Sequence, residues 1–330
     1  MRNPLYVSAS PHVFAHDRTS TLMGEVLVAL TPTLFGSIYL FGARALVVTG
    51  ICVSSCFLFE WLFCIIAGRE SSVKDLSACV TGVILAFNLP VYCPLWMPVI
   101  GAAFAIVITK MLFGGLGQNF LNPALAARVF LASAWSADMV RWTRPVLSPF
   151  AWTLETDIIT AATPLANIRM GDSLPKGFGG FGHMLNMLLG VKPGCIGETC
   201  GFLLIAGGAY LIARKVIDWQ IPACYIGVTG ILAMVFPFPG VGSLTSAYYS
   251  IFTGGILLGA IFMATDYVTS PLLDIGKAVY GVGCGVITFF IRKFGSSAEG
   301  VSYAILIMNV LVWFIDRYIV PRRFGQEAIR

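Results

Sequence analysis

Apolar residues run along this chain in long blocks bounded by charges, glycine or proline, with little of the alternation that marks half-buried strands. A helix needs roughly 20 mostly apolar residues to cross a bilayer. Reading the blocks this way predicts about ten helices, at 24–42, 45–67, 76–90, 93–113, 121–137, 199–216, 219–237, 243–264, 275–292 and 301–320. The third and fifth are short and interrupted by Pro or Asn. A polar connection of about 60 residues, Asp138 to Glu198, separates the fifth from the sixth. The expected fold class is an all-α polytopic membrane protein with an N-terminal membrane half (1–137), an outer loop (138–198) and a C-terminal membrane half (199–330). Five spans per half is an odd number, so related halves would insert with opposite orientations, as two inverted five-helix repeats. Asn122-Pro123 and Thr269-Ser270-Pro271 are interruptions of the kind that break helices in such halves. No residue-level repeat is visible, so the symmetry rests on the count of spans.

Composition agrees with the pattern. Of 330 residues 57% are hydrophobic and 11% charged, and the mean hydropathy is +0.84. Soluble domains carry roughly a quarter charged residues, so a soluble enzyme, a nucleic-acid binder and a disordered chain are all excluded. The net charge of +5 is then a matter of topology. With the N-terminus in the cytoplasm, the inner side receives twelve basic residues: Arg2, Arg18, Arg69, Lys74, Lys110, Arg214, Lys215, Lys277, Arg317, Arg322, Arg323 and Arg330. The outer short loops receive three, Arg44, Arg292 and Lys293. Basic residues concentrate on the cytoplasmic side, so both termini are expected inside and the 138–198 loop outside. The first 20 residues hold no apolar core of a cleavable signal. Of nine cysteines, six lie in apolar stretches; Cys195 and Cys200 fall in the polar connection and could pair on an oxidising side. With no Cys-x-x-Cys, a metal or iron–sulfur centre built by this chain alone is not expected.

Each candidate motif has a functional and a plain reading. Gly177-Phe178-Gly179-Gly180-Phe181-Gly182 fits G-x-G-x-x-G, but no strand precedes it, so it reads as a loop and not a dinucleotide site. In Gly114-Gly115-Leu116-Gly117-Gln118-Asn119-Phe120-Leu121-Asn122-Pro123, small residues permit tight packing. Its two asparagine amides need partners in an apolar setting, which a polar ligand or a broken helix would supply. Their spacing of three predicts that both face one way on a helical turn. Glu60 and Arg128 sit at membrane depth and are functional candidates by that position. The alternatives are a wet Glu60 near the cytoplasmic end and an Arg128 that snorkels or meets a backbone carbonyl. Asp266 reads as an interfacial cap, and His12, His16 and His183 as solvated. In the outer connection, Asp157-Ile158-Ile159-Thr160-Ala161-Ala162-Thr163-Pro164-Leu165 sets hydroxyls among alanines after an acid. Small neighbours leave Thr163 open to a bulky group, and Pro164 keeps it out of regular structure. The plain reading is a loop whose threonines cap a helix.

These residues resemble those of a family of flavin-carrying membrane proteins, which comprises the D subunit of the Rnf complex and the B subunit of the sodium-pumping NADH:quinone oxidoreductase. Asp157-x-x-Thr160-x-Ala162-Thr163 is similar to the family's flavinylation motif, in which a flavin transferase attaches FMN to the final threonine through a phosphoester. Asn119 to Pro123, running on through Ala124, Arg128 and Phe130-Leu131, matches a second signature, and Ser10-Pro11-His12 and Ala264-Thr265-Asp266 match as well. The likeness covers essentially the whole chain. The short segment before Ser10 and the proline at 164 look more like the Rnf branch. The chain departs from the pattern at Ala161 and Ala127, where the family often has glycine; both residues remain small.

The resemblance implies covalent FMN on Thr163, with Asp157, Thr160 and Ala162 as the rest of the motif, and a second, non-covalent flavin, riboflavin, in the membrane part. There the carboxamides of Asn119 and Asn122 are candidate partners. It also implies a urea-transporter-like fold of inverted five-helix repeats. The chain would be an electron carrier in the cell membrane, with its flavin loop external. The complex passes electrons between ferredoxin and NAD and couples them to sodium or proton movement. The implied partners are the A, B, C, E and G subunits of the Rnf complex, a flavin transferase during maturation and the lipid bilayer. Two other readings remain at this point: the quinone-reductase paralogue, and a urea-transporter-like channel without redox role.

Overall fold

The computed structural model describes residues 18–69, 72–143, 145, 163–165, 168, 180–198, 200–295 and 300–320. Among them every element is helical. Helix α1 (Thr19–Phe41) turns directly into α2 (Ala43–Ile66) through Gly42, whose φ of 77° is a left-handed conformation open to glycine at little cost. Helix α3 (Ser77–Phe87) is short and stops at Asn88, ahead of Leu89-Pro90. Helix α4 (Trp96–Met111) widens to π geometry over Phe104–Met111. Next come α5 (Pro123–Ala134), α6 (Ser136–Met139) and α7 (Phe181–Leu189). The second half holds α8 (Gly201–Ala213), α9 (Gln220–Val235), α10 (Ser243–Phe252), α11 (Ile256–Met263), α12 (Asp274–Phe294) and α13 (Val301–Tyr318). Helix α11 is π-helical from Gly259.

Each of the ten predicted blocks contains a helix, but their lengths differ from expectation. Four helices, α1, α2, α12 and α13, are long and apolar enough to cross a membrane, and the pair α10–α11, bent by 59° at its break, makes a fifth. Helices α3, α4, α5, α8 and α9 are apolar but shorter. The helices stop short of the block ends at Asn88 to Leu95 and Leu112 to Asn122, and Thr253 to Gly255 leaves the helical path in mid-block.

Helix α2 packs on α3 and α4, α9 on α10 and α12, and α12 on α13; α1 meets α8 and α5 meets α13 across the halves. Small residues set the closest approaches, since a Cβ on Gly82 of α3 would lie 2.7 Å from the Val53 Cα of α2. Buried apolar residues from both halves form one continuous core. Large apolar side chains also cover outer faces, with Phe57, Leu58, Trp61 and Ile65 on α2 and Val310, Trp313 and Phe314 on α13. A soluble monomer rarely exposes so much contiguous apolar surface; the two faces suit lipid.

Two basic residues that the sequence assigns to loops lie inside the protein. Lys110 is 2% exposed within the π-helical turn of α4, and Arg292 is 1% exposed near the end of α12. Both have polar partners that draw them inward.

Candidate functional site

The first candidate site is a cavity of about 70 Å³ between the halves, lined by Ser77 and Thr81 of α3, Lys110 of α4, Asn119 and Asn122 of the following connection, and Thr265 and Asp266 beyond α11. Helix α5 begins only at Pro123, so the pair Asn119–Asn122 does not ride on a helical turn, as the spacing predicts. Asn122 is the N-cap: its Oδ1 accepts from Ala124 N at 3.1 Å and Leu125 N at 3.3 Å, with Pro123 at the first helical position. Its Nδ2 donates to Met263 O at 3.3 Å, in the π stretch of α11. Asn119 Nδ2 donates to Leu121 O at 3.0 Å, whereas Asn119 Oδ1 is buried and without a hydrogen-bond partner. Of the two amides, only Asn119 keeps an acceptor for a ligand.

Beside this cavity lies a buried ion pair. Lys110 Nζ stands 2.7 Å from Glu60 Oε2 and donates to Ser77 Oγ, also at 2.7 Å. Glu60 is 0% exposed, so the alternative of a wet carboxylate falls and the buried position considered first stands. Arg128 donates to the carbonyl of Asn88, the backbone partner considered from sequence, and its Nη1 lies 3.2 Å from Cys195 Sγ. Asp266 is partly buried, and its carbonyl accepts from the amides of Thr269 and Ser270, which makes it a turn organiser on the cavity wall. Burial raises its carboxyl above the ordinary value, against the hydrogen bonds from Val268 N and Thr269 Oγ1.

The second candidate site gathers at the α10–α11 break. Arg292 donates to the carbonyls of Ser250, Thr253 and Gly254, Lys192 to that of Phe252, and Gly254 N to the Glu198 carboxylate. Burial lowers the Lys192 ammonium from its usual value; Glu198 nearby opposes this and Arg292 adds to it. Leu165, two residues after Thr163, sits against this place. Leu165 belongs to a small apolar cluster with Ile168, Met187, Phe238 and Tyr249, and its Cδ2 comes within 3.2 Å of where a Gly254 side chain would begin. Thr163 itself is 6% exposed. The open hydroxyl expected from sequence is therefore corrected, because the packing of Leu165 and Ile168 draws the segment in. Asp157, Thr160, Ala161 and Ala162 lie outside the described residues, as do His12 and His16.

His183 is not simply solvated, since its Nδ1 lies 2.5 Å from the Tyr249 hydroxyl. Gly180 to Gly182 of the G-x-G-x-x-G match open α7 with no strand before them among the described residues. No disulfide joins Cys195 to Cys200; burial pushes the Cys195 thiol up to about 11. Sequence reading missed Lys192, Glu198, Ser250 and Arg292 as a group. Their signal was charge in the long connection and at a helix end, and of the four only Arg292 was used, in counting basic residues on each side of the membrane.

Comparison with known proteins matches residues 6–325 to the family described as NQR2, RnfD, RnfE. The chain is 41% identical over 328 residues to the D subunit of the Na(+)-translocating ferredoxin:NAD(+) oxidoreductase complex of Acetobacterium woodii, covering 99% of this chain and 97% of that protein. It is 37% identical to the D subunit of the proton-translocating ferredoxin:NAD(+) oxidoreductase complex of Clostridium ljungdahlii, covering 98% and 97%. It is also 37% identical to the D subunit of the ion-translocating oxidoreductase complex of Halorhodospira halophila, covering 97% and 96%.

Proposed function

The chain belongs to the NQR2, RnfD, RnfE family, and from that premise we propose that it is the D-type electron carrier of an ion-translocating ferredoxin:NAD oxidoreductase, with FMN held as a phosphoester on Thr163. It works as part of a translocase and has no complete activity alone. The assembly it joins contains the A, B, C, E and G subunits of the Rnf complex, and a flavin transferase acts on it during maturation. It spans the cell membrane with both termini cytoplasmic and the flavin loop outside. Its two halves of five spans each are inserted with opposite orientations, a reading that rests on the odd count of apolar blocks per half.

One observation carries the flavin. Thr163, the last residue of the attachment motif, is buried and stands two residues before Leu165, which packs at a break in the membrane helices where, among the described residues, buried cations outnumber carboxylates. A phosphoester is anionic, and burial beside fixed positive charge suits it. When bound, the flavin supplies reversible one-electron chemistry. The side chains hold the Thr163 segment in place through Leu165, exclude water there and set the local charge. Because the Thr163 hydroxyl is buried, attachment precedes the packing of this segment or requires it to lift. For riboflavin, support comes from the unpartnered Asn119 Oδ1 in the inner cavity. At about 70 Å³ this space is smaller than the roughly 150 Å³ that takes a benzene, so a flavin ring requires the walls to move apart.

The test is direct. Denatured chain on a gel should fluoresce as a flavoprotein, and the peptide carrying the adduct should contain Thr163. Thr163→Val removes the hydroxyl and should abolish the band; fluorescence that persists puts the attachment elsewhere. A chain without flavin would instead fit a urea-transporter-like channel. Co-purification with a ferredoxin-oxidising partner separates this reading from the quinone-reducing paralogue.

A further inference from the structure

Arg292 is 1% exposed and donates from Nη1 to Ser250 O at 2.7 Å and from Nη2 to Thr253 O and Gly254 O at 3.0 and 2.7 Å. These carbonyls are the unsatisfied end of α10, where a cation is an ordinary cap. Capping leaves three features unaccounted for. Arg292 Nε and Ser250 Oγ are both buried and both lack a hydrogen-bond partner. Lys192, 2% exposed, is a second cation on the same helix end, bonded to Phe252 O. Glu198 turns its oxygens to the backbone amides of Gly254 and Cys195, and among the described residues neither cation has a carboxylate within ion-pair distance. Finally, Gly254, with a φ of +72°, has no side chain where Leu165 and Arg292 converge, and Leu165 is two residues from Thr163.

Two buried cations with one nearby carboxylate, Glu198, leave an excess of positive charge, which is costly, and so is an orphaned donor. An anion with several acceptor oxygens relieves both. We propose that Arg292, Lys192 and Ser250 form an anion cradle for the phosphate of the flavin nucleotide attached at Thr163. Arg292 supplies Nε, Ser250 its hydroxyl and Lys192 charge, while the Arg292 Nη groups stay on the α10 carbonyls. Arg292 and Leu165 together fill the side of Gly254 that a Cβ would take, which brings the chain to within two residues of Thr163 at the cradle. The cradle rests on the covalent-FMN reading above and adds the residues that receive the phosphate.

The test uses the full chain in a phosphate-free maltoside detergent. In Thr163→Val, combined with Asn119→Leu so that the inner riboflavin site proposed above is silent, the cradle is free of covalent flavin, and FMN and riboflavin are titrated separately by their fluorescence. FMN should bind at least about tenfold more tightly than riboflavin, the size of one charge-assisted hydrogen bond. Inorganic phosphate should displace FMN and not riboflavin. Adding Arg292→Gln should bring the preference to within about twofold, and adding Ser250→Ala, which leaves the Arg292–carbonyl bonds intact, should lower it roughly threefold. A preference near one in Thr163→Val overturns the cradle. So does a preference that survives both changes in chains with unaltered thermal transitions. Arg292-dependent phosphate binding with no preference for FMN makes the occupant a free anion and overturns the flavin assignment. The wild-type gel reports separately. A fluorescent wild type with no FMN preference keeps the covalent bond and removes the cradle; a dark wild type with an Arg292-dependent preference removes the bond and keeps the cradle.

Discussion

Glu60 and Lys110 stand 2.7 Å apart with 0% and 2% of their side chains exposed, so each is the other's answer to a charge in an apolar place. Removing one partner of a buried pair costs about 3–5 kcal/mol, whereas exchanging both for apolar residues is often close to neutral. Glu60→Gln should therefore lower the thermal midpoint in detergent sharply, and Glu60→Met with Lys110→Met should recover most of the loss. Equal losses in the single and double variants would show that the charges are not coupled. The asparagines separate in the same way. Asn122→Leu removes an N-cap worth about 1 kcal/mol, so any loss of ligand there is mixed with loss of fold. Asn119 has one local bond, to Leu121 O. Asn119→Leu should thus reduce non-covalent riboflavin while leaving covalent FMN and the thermal midpoint nearly unchanged, as measured by flavin extraction. Riboflavin unchanged in a folded Asn119→Leu chain would assign this amide to structure. That Asn119 and Asn122 need partners was legible in the residues; that one amide is spent on α5 was not, because it depends on where the helix begins.

Among the elements, each of the ten hydrophobic blocks holds at least one helix, since an apolar run bounded by polar residues has few other solutions in a membrane chain, but only four helices and one bent pair are long enough to cross. The helix ends were less legible. Asn88 ends a helix before its block does, Thr253–Gly255 breaks a block that reads as continuous, and the missing length is decided by tertiary partners such as Arg128 and Arg292. The two π-helical stretches, Phe104–Met111 and Gly259–Met263, had no signature in the apolar pattern. They nevertheless place the functional groups: one carries Lys110 to Glu60, the other turns Met263 O toward Asn122. A π-helical turn commonly marks a functional place in a helix. Helix α7 was missed because a Gly- and Phe-rich run after Pro175 reads as loop.

At the scale of the whole molecule, charge and packing make the same statement about sidedness. Once Lys110 and Arg292 are taken out of the loop count, the twelve and three basic residues become eleven and two, and the bias toward the cytoplasm stands. Packing adds a constraint that counting lacks. Arg292, near the end of α12, holds the α10–α11 break, and Leu165 meets the same break, so the end of α12 and the Thr163 segment share one side. Helix α13 then runs back to a last turn with Arg317, followed by Arg322 and Arg323. If the basic tail is cytoplasmic, the Thr163 segment is external. Cysteines introduced singly at Ser173 and Gln326 should thus react with an impermeant maleimide from opposite sides, each compared with the parent chain in right-side-out and inverted vesicles. Labelling of both from one side would break the link between the end of α12 and the cytoplasmic tail, and with it the proposal that the Thr163 segment is external.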